Sequence, residues 1–213
     1  MEKPIASPTP PSLIYRTKLA LIIVALLMIS VDSARAQPES EKTITKGSFL
    51  IATEKLDNTD FKHAVVYVTQ AGNFGTYGLI INKPTFIPIK EAMPENHKSA
   101  DPEKSIYFGG PAHLQYLFVL TQNKKHKKLH QITDNIYFGA GRESVIKLNT
   151  GDDQIGTRTY IGYSAWAPGQ LDEEVQSGAW IIAPTEDKQN NVFSEDPKSV
   201  WQKLYKKWSG DWT

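Results

Sequence analysis

Gly162-Tyr163-Ser164-Ala165-Trp166-Ala167-Pro168-Gly169-Gln170-Leu171 places two glycines, two aromatics and a proline within ten residues. Thr157 to Ile161, just before it, is β-branched and aromatic and predicts a strand. Gly162 has no Cβ, so the backbone can turn there or approach a neighbour closely. Pro168 fixes its own φ and biases Ala167 towards an extended conformation. From Gln170 the pattern turns helical, with Asp172, Glu173 and Glu174 in the first turn and Gly178 as the stop. The reading is a strand, a rigid bend carrying Trp166, and a short helix.

Upstream, Gly47 to Ala52 and His63 to Thr69 read as strands, and Gln70 to Asn73 as the turn into a third strand beginning at Gly75. Asn82-Lys83-Pro84 ends that strand, because proline cannot donate to a ladder. Residues 85–104, with prolines at 88, 94 and 102 and many charges, predict a mobile loop around a helical turn at Ile89–Met93. Ser105–Phe108, Tyr116–Thr121, Gln131-Ile132 and Ile136–Phe138 predict further strands, and Glu143–Leu148 a helix. Downstream of the bend, Ala179 to Ala183 reads as a strand. Asp196-Pro197 then caps a helix with Val200, Trp201, Leu204, Tyr205 and Trp208 on one face.

The chain has 213 residues, 40% hydrophobic and 22% charged, as in a globular protein. Its first 36 residues carry Arg16 and Lys18, an uncharged apolar run from Leu19 to Val31, and Ala34-Arg35-Ala36. That pattern predicts a secretory signal peptide over 1–36, cleaved after Ala36. A membrane helix needs roughly 17–25 apolar residues, so the run is short for a span; anchoring by residues 19–31 is the alternative. The expected product is periplasmic or secreted, with a polar leader at 37–46 and a single domain at 47–213. Without residues 1–36 the chain carries 20 Lys+Arg and 21 Asp+Glu, a net charge of −1. The positive excess of a nucleic-acid binder is missing, and nucleic acid is not the expected partner. With no cysteine, the chain has no disulfide, thiolate nucleophile or zinc–thiolate site.

Taken in order, Gly47-Ser-Phe-Leu-Ile-Ala52, Phe61 with Val65-Val66-Tyr67, Gly75-x-x-Gly78-Leu-Ile-Ile-Asn82-Lys-Pro84, Gly109-Gly110-Pro111 and the Gly162–Leu171 stretch with Trp180 resemble the AlgH/YqgE family of small bacterial proteins. The resemblance implies an α/β (α+β) fold with a mixed β-sheet, curled into a small, partly closed barrel and flanked by helices. It departs at Ser164-Ala165, where the family usually has Ala-Gly, and at Asp172, where it usually has Glu. Some members are labelled transcriptional regulators, a role that would apply here if the N-terminus were not a signal peptide.

Candidate chemistry is sparse. Gly139-x-Gly141-x-x-Ser144 has the setting of a dinucleotide fingerprint but lacks the third glycine and the following acid, which favours an ordinary strand-to-helix turn. Asp172-Glu173-Glu174 could hold a metal, but acids in a first turn are also stabilised by the helix dipole. Ser164 lacks the G-x-S-x-G setting of a nucleophile elbow. The five histidines, at 63, 97, 113, 126 and 130, follow no ligand spacing, and Lys124–Lys128 reads as a solvated hairpin tip. No catalytic residue, metal ligand or cofactor is assigned.

The remaining candidate is a groove for an unknown small ligand or protein partner, built from Gly109, Gly110, Pro111, Tyr163, Trp166, Gly169 and Gln170. Glycine permits close approach there, and the aromatics supply apolar faces with polar tips. The expected function is a non-catalytic binding or regulatory domain. The alternative is a hydrolase-like enzyme assembled near the 109–111 and 162–174 bends from residues such as His113, Asp172 and Glu173.

Overall fold

The computed structural model describes residues 43–93, 101, 104–124, 128–150, 156–184 and 191–210. The signal-peptide region and most of the polar leader lie outside the described residues. In chain order the elements are β1 (Phe49–Ala52), β2 (Val65–Gly72), β3 (Gly75–Ile80), β4 (Pro84–Pro88), β5 (Ser105–Phe108), β6 (Ala112–Thr121), β7 (His130–Thr133), β8 (Ile136–Ala140), α1 (Arg142–Asn149), β9 (Thr157–Trp166), α2 (Gln170–Gln176), β10 (Trp180–Ala183) and α3 (Pro197–Trp208).

The strands form one sheet in the order β10-β1-β2-β3-β9-β6-β8-β7, with β5 beside β9 and β4 beside β5. Every pairing is antiparallel except β5 with β9, so the sheet is mixed. β1 and β2 are near-continuous apolar runs because both faces of the sheet are covered. Phe49, Ile51, Val65, Tyr67 and Leu79 face one core, which Val200 and Leu204 of α3 complete. Leu50, Ala52, Val66, Val68 and Ile80 face the other, closed by Leu171 of α2. Each large apolar side chain so buried stabilises the fold by roughly 1.5–3 kcal/mol. The first core also collects Ile132 and Ile136 from the far end of the strand order, so the sheet curls around it. Among the described residues β10 and β7 share no ladder, so the sheet stays open there.

Several expectations need correction. The strand before the bend does not stop at Ile161; β9 runs ten residues, to Trp166. The first hairpin turns at Asn73-Phe74, three residues later than Gln70, because β2 continues to Gly72. Residues 84–88, read as the start of a loop, form an edge strand; there the prolines leave no ladder donor unused. The rest of that expected loop falls largely outside the described residues. Asp196 precedes α3 with Pro197 at its start, but its side chain makes no capping bond. Ser199 Oγ instead donates to the Asp196 carbonyl (3.1 Å).

Candidate functional site

β9 is the strand that every other part of the sheet meets. One edge pairs with β6, from Thr121↔Thr157 to Ala112↔Tyr163. The other edge pairs first with β5, in parallel, at Tyr160 and Ile161, and then with β3 at Ser164 to Trp166. The change of partner occurs at Gly162, whose φ of 68° is in the left-handed region. Opposite it, β6 sets four residues, His113 to Tyr116, against the single Gly162 in a bulge, and all four side chains are exposed. His113 has a φ of 51° there, a conformation that a non-glycine residue adopts at a cost.

Gly109 and Gly110 cross the same place. A Cβ on Gly110 would stand 2.4 Å from the Tyr163 carbonyl carbon, and one on Gly162 would stand 2.3 Å from the Gly110 carbonyl oxygen. The Gly109 carbonyl accepts from the Ile80 N–H (2.9 Å) and from Ser164 Oγ (3.2 Å). The close approach expected of these glycines is therefore backbone against backbone. Ser164 is fully buried and committed to that bond, which leaves it no access to a substrate.

Gly162 also switches the side-chain phase of β9. Strict alternation would put Tyr160 and Tyr163 on opposite faces. Instead Phe118, the cross-strand partner of Tyr160, packs edge-on against Tyr163 at 5.5 Å. Beyond Gly162 the alternation is regular, so Tyr163 and Trp166, three residues apart, face opposite ways. Trp166 points into the α2-side core and is 3% exposed. Its Nε1–H donates to Glu174 Oε2 (2.9 Å), as does Nε1–H of Trp180 (2.8 Å). Phe61 stacks on Trp166 and meets Trp180 edge-on, and Gln170 ties the turn to this clasp by accepting from the Ala167 N–H and donating to Glu174 Oε1. Gly169, at φ 81°, opens α2 with open space where a Cβ would stand.

Tyr163 points the other way. With Tyr77, Leu79, Phe118, Phe138 and Gln70 it lines a depression of ≈ 260 Å³, continued by a second of ≈ 320 Å³ towards Lys46, His130 and Gln131. His113 stacks on Tyr163 with ring planes 4° apart and centroids 5.6 Å apart, and Gln115 Nε2 lies 3.3 Å from its Nδ1. The rings of Tyr77, Phe118, Phe138 and Tyr163 are only half-buried. Beneath them the hydroxyls of Tyr67 and Tyr160 are buried and make no hydrogen bond of good geometry among the described residues, although the Thr133 side chain approaches the first and the Arg158 guanidinium the second. Burial pushes Tyr67 up to about 12, with the Thr133 side chain holding it back in part. It pushes Tyr160 well above the ordinary tyrosine value against the opposing pull of Arg158.

Of the predicted groove, then, Gly109 and Gly110 are buried in the sheet crossing, Pro111 is exposed beside it, and Tyr163 faces the depression. Trp166, Gly169 and Gln170 belong to the clasp and its turn. Asp172 and Glu173 are exposed on α2 and make no contact with His113, whereas Glu174 is the indole acceptor. The Gly139–Ser144 segment is a strand-to-helix turn in which Ser144 Oγ donates to the Ala140 carbonyl (3.1 Å). Lys128 pairs with Glu143 (3.0 Å); Lys125 to Lys127 lie outside the described residues, as do His97 and His126. Among the described residues no cluster of His, Asp and Glu is placed to hold a metal ion, and no helix is long and apolar enough to cross a membrane. Sequence reading missed Tyr77, Phe118 and Phe138 as groove residues. The only local signal was Tyr77 between Gly75 and Gly78; the other two look like ordinary strand residues.

The family model described as AlgH-like matches residues 49–213. A UPF0301 protein of Cronobacter sakazakii is 33% identical over 167 residues, covering 74% of this chain and 88% of that protein. One of Cytophaga hutchinsonii is 29% identical over 173 residues, covering 79% and 92%. Among solved structures, the solution structure of the AlgH protein from Pseudomonas aeruginosa is similar with a TM-score of 0.64 at 21% identity, over 83% of this chain and 92% of that one.

Proposed function

This chain belongs to the AlgH-like family, and on that premise we propose that it is an exported, non-catalytic binding or regulatory domain whose ligand lies on the Tyr163 face of β9. The observation that carries the reading is the half-exposed aromatic cluster of Tyr77, Phe118, Phe138 and Tyr163 around the ≈ 260 Å³ depression, with His113 stacked at its mouth. Aromatic rings left half-exposed in a concavity, with Gln70 and Thr69 beside them, suit a flat or apolar-faced ligand with hydrogen-bonding edges. Export rests on the basic, apolar and Ala34-Arg35-Ala36 pattern of residues 1–36.

Nuclear magnetic resonance titration with benzamide, phenol and N-acetylglucosamine tests the groove. Saturable shifts are expected at the rings of Tyr77, Phe118 and Tyr163, absent in Tyr163→Ala, with the indole N–H signals of Trp166 and Trp180 unmoved. Binding that persists in a folded Tyr163→Ala variant would place the ligand elsewhere. Turnover of an ester, phosphate or peptide panel, lost in His113→Ala, would replace the binding reading with the hydrolase one. Export is read from the intact mass of the chain in a periplasmic fraction: a species beginning at Gln37 is expected, and a full-length cytoplasmic species would restore the regulator reading.

A further inference from the structure

Arg158 of β9 is a cation held by neutral groups. Its Nη1 donates to the carbonyl oxygens of Val192 (2.7 Å) and Ile81 (3.3 Å), and its Nη2 to that of Ser194 (2.9 Å). The guanidinium carbon lies 4.2 Å from the centroid of the Tyr107 ring. These contacts hold the group rigidly and anchor the segment that leads into α3. Among the described residues no carboxylate is within ion-pair distance of it. Neutral carbonyls and a ring face offset only part of the cost of taking a guanidinium out of water. Three of its five N–H donors go to these carbonyls and the side chain also meets the Tyr160 hydroxyl, which leaves at least one N–H unused.

Beside Arg158 is a notch of ≈ 270 Å³ whose lining is largely polar, with Lys104, Ser105, Tyr107, Asn149 and Thr157 around it. The parallel pairing of β5 with β9 sets Tyr107 next to Tyr160, so Ser105, two residues earlier, comes level with Arg158. Lys104 and Ser105 are half-buried, so the notch reaches solvent. Burial holds the Lys104 amine below the ordinary lysine value, with Asp101 opposing the shift. The notch therefore has two partly desolvated cations along one wall, with hydroxyls between them.

We propose that this notch binds a small oxyanion, a phosphate or a carboxylate, held by an unused N–H of Arg158, by Lys104 Nζ and by the Ser105 hydroxyl. An anion there would supply a counter-charge that no described carboxylate provides, and charge-assisted bonds from a fixed guanidinium are the strong ones. It would compete with Asp101 for Lys104. The site lies at the β4–β5–β9 edge and shares no lining residue with the Tyr163 groove, so either can fail without the other.

Isothermal titration of the purified full chain with inorganic phosphate, and separately with acetate, at low ionic strength tests the proposal. Saturable one-site binding that weakens with added salt is expected. Lys104→Gln should lower affinity about tenfold, the loss of one charge-assisted contact, with the urea midpoint unchanged. Ser105→Ala should lower it less. Tighter binding of phosphate than of acetate would assign a phosphate ligand, and the reverse a carboxylate. No saturable binding of either anion at millimolar concentration would overturn the proposal, as would wild-type affinity in Lys104→Gln.

Discussion

On the Trp166 face of β9 two indole N–H groups converge on one carboxylate, and every polar tip of the cluster is paired. On the Tyr163 face the aromatic rings outnumber the polar groups around them, two tyrosine hydroxyls below make no hydrogen bond of good geometry, and the rings stay half-exposed. Each cluster takes one aromatic from the same ten residues, Trp166 or Tyr163, and the two lie on opposite faces of one strand. A saturated aromatic cluster is a structural clasp, whereas an unsaturated concave one keeps capacity for something else. Alternation along β9 separates them, since Tyr163 and Trp166 are three residues apart, and the left-handed Gly162 brings Tyr163 onto the face of Tyr160 and Phe118.

The comparison breaks most severely at Gly162 itself. Gly162→Ala would place a methyl 2.3 Å from the Gly110 carbonyl oxygen at a positive φ. A loss of about 4 kcal/mol is expected in urea denaturation. Gly169→Ala, also at positive φ but with open space around it, should cost only about 1 kcal/mol. Equal losses would mean that close approach is not what Gly162 supplies.

Next is the contrast between the faces. Glu174→Ala leaves two buried indole N–H groups unpaired, and a loss of about 2–3 kcal/mol is expected, with a red shift of tryptophan fluorescence. Tyr163→Ala should cost about 1 kcal/mol or less, because its ring is half-exposed. The reverse order would make the groove the structural element and the clasp dispensable.

The smallest effect sharpens the picture of the unsaturated face. The folded-state value of Tyr67 is raised, so the unfolded chain loses that proton first, near pH 10.0. Stability should fall from there as pH rises to about 12, by about 2 kcal/mol over that window. Tyr67→Phe removes this contribution and leaves that of Tyr160. At neutral pH it should be neutral or slightly stabilising, because the lost hydroxyl made no hydrogen bond of good geometry. A marked loss at neutral pH would show that the hydroxyl is in fact satisfied.

Most strands were legible because their residues are β-branched or aromatic runs set off by turn residues, and α3 because its apolar positions recur at helical spacing. β4 was not, since its prolines signal a loop unless an edge strand happens to be available to pair with. The His113–Tyr116 bulge was missed because the strand was read from Tyr116 to Thr121, whereas β6 already begins at Ala112. Of the site, the sequence grouped Tyr163, Trp166, Gln170 and the glycines, but ending the strand at Ile161 hid the alternation that puts Tyr163 and Trp166 on opposite faces.

By itself the sequence determined the family, the mixed α+β class, the apolar runs that must be buried and the absence of cysteine chemistry, because these follow from residue type and spacing along the chain. The tertiary structure alone decided which face Tyr163 shares with Tyr160, which of three adjacent acids receives the indoles, and that no described carboxylate pairs with Arg158. Those depend on a change of strand partner at one glycine and on groups brought together from distant parts of the chain, which no local pattern records.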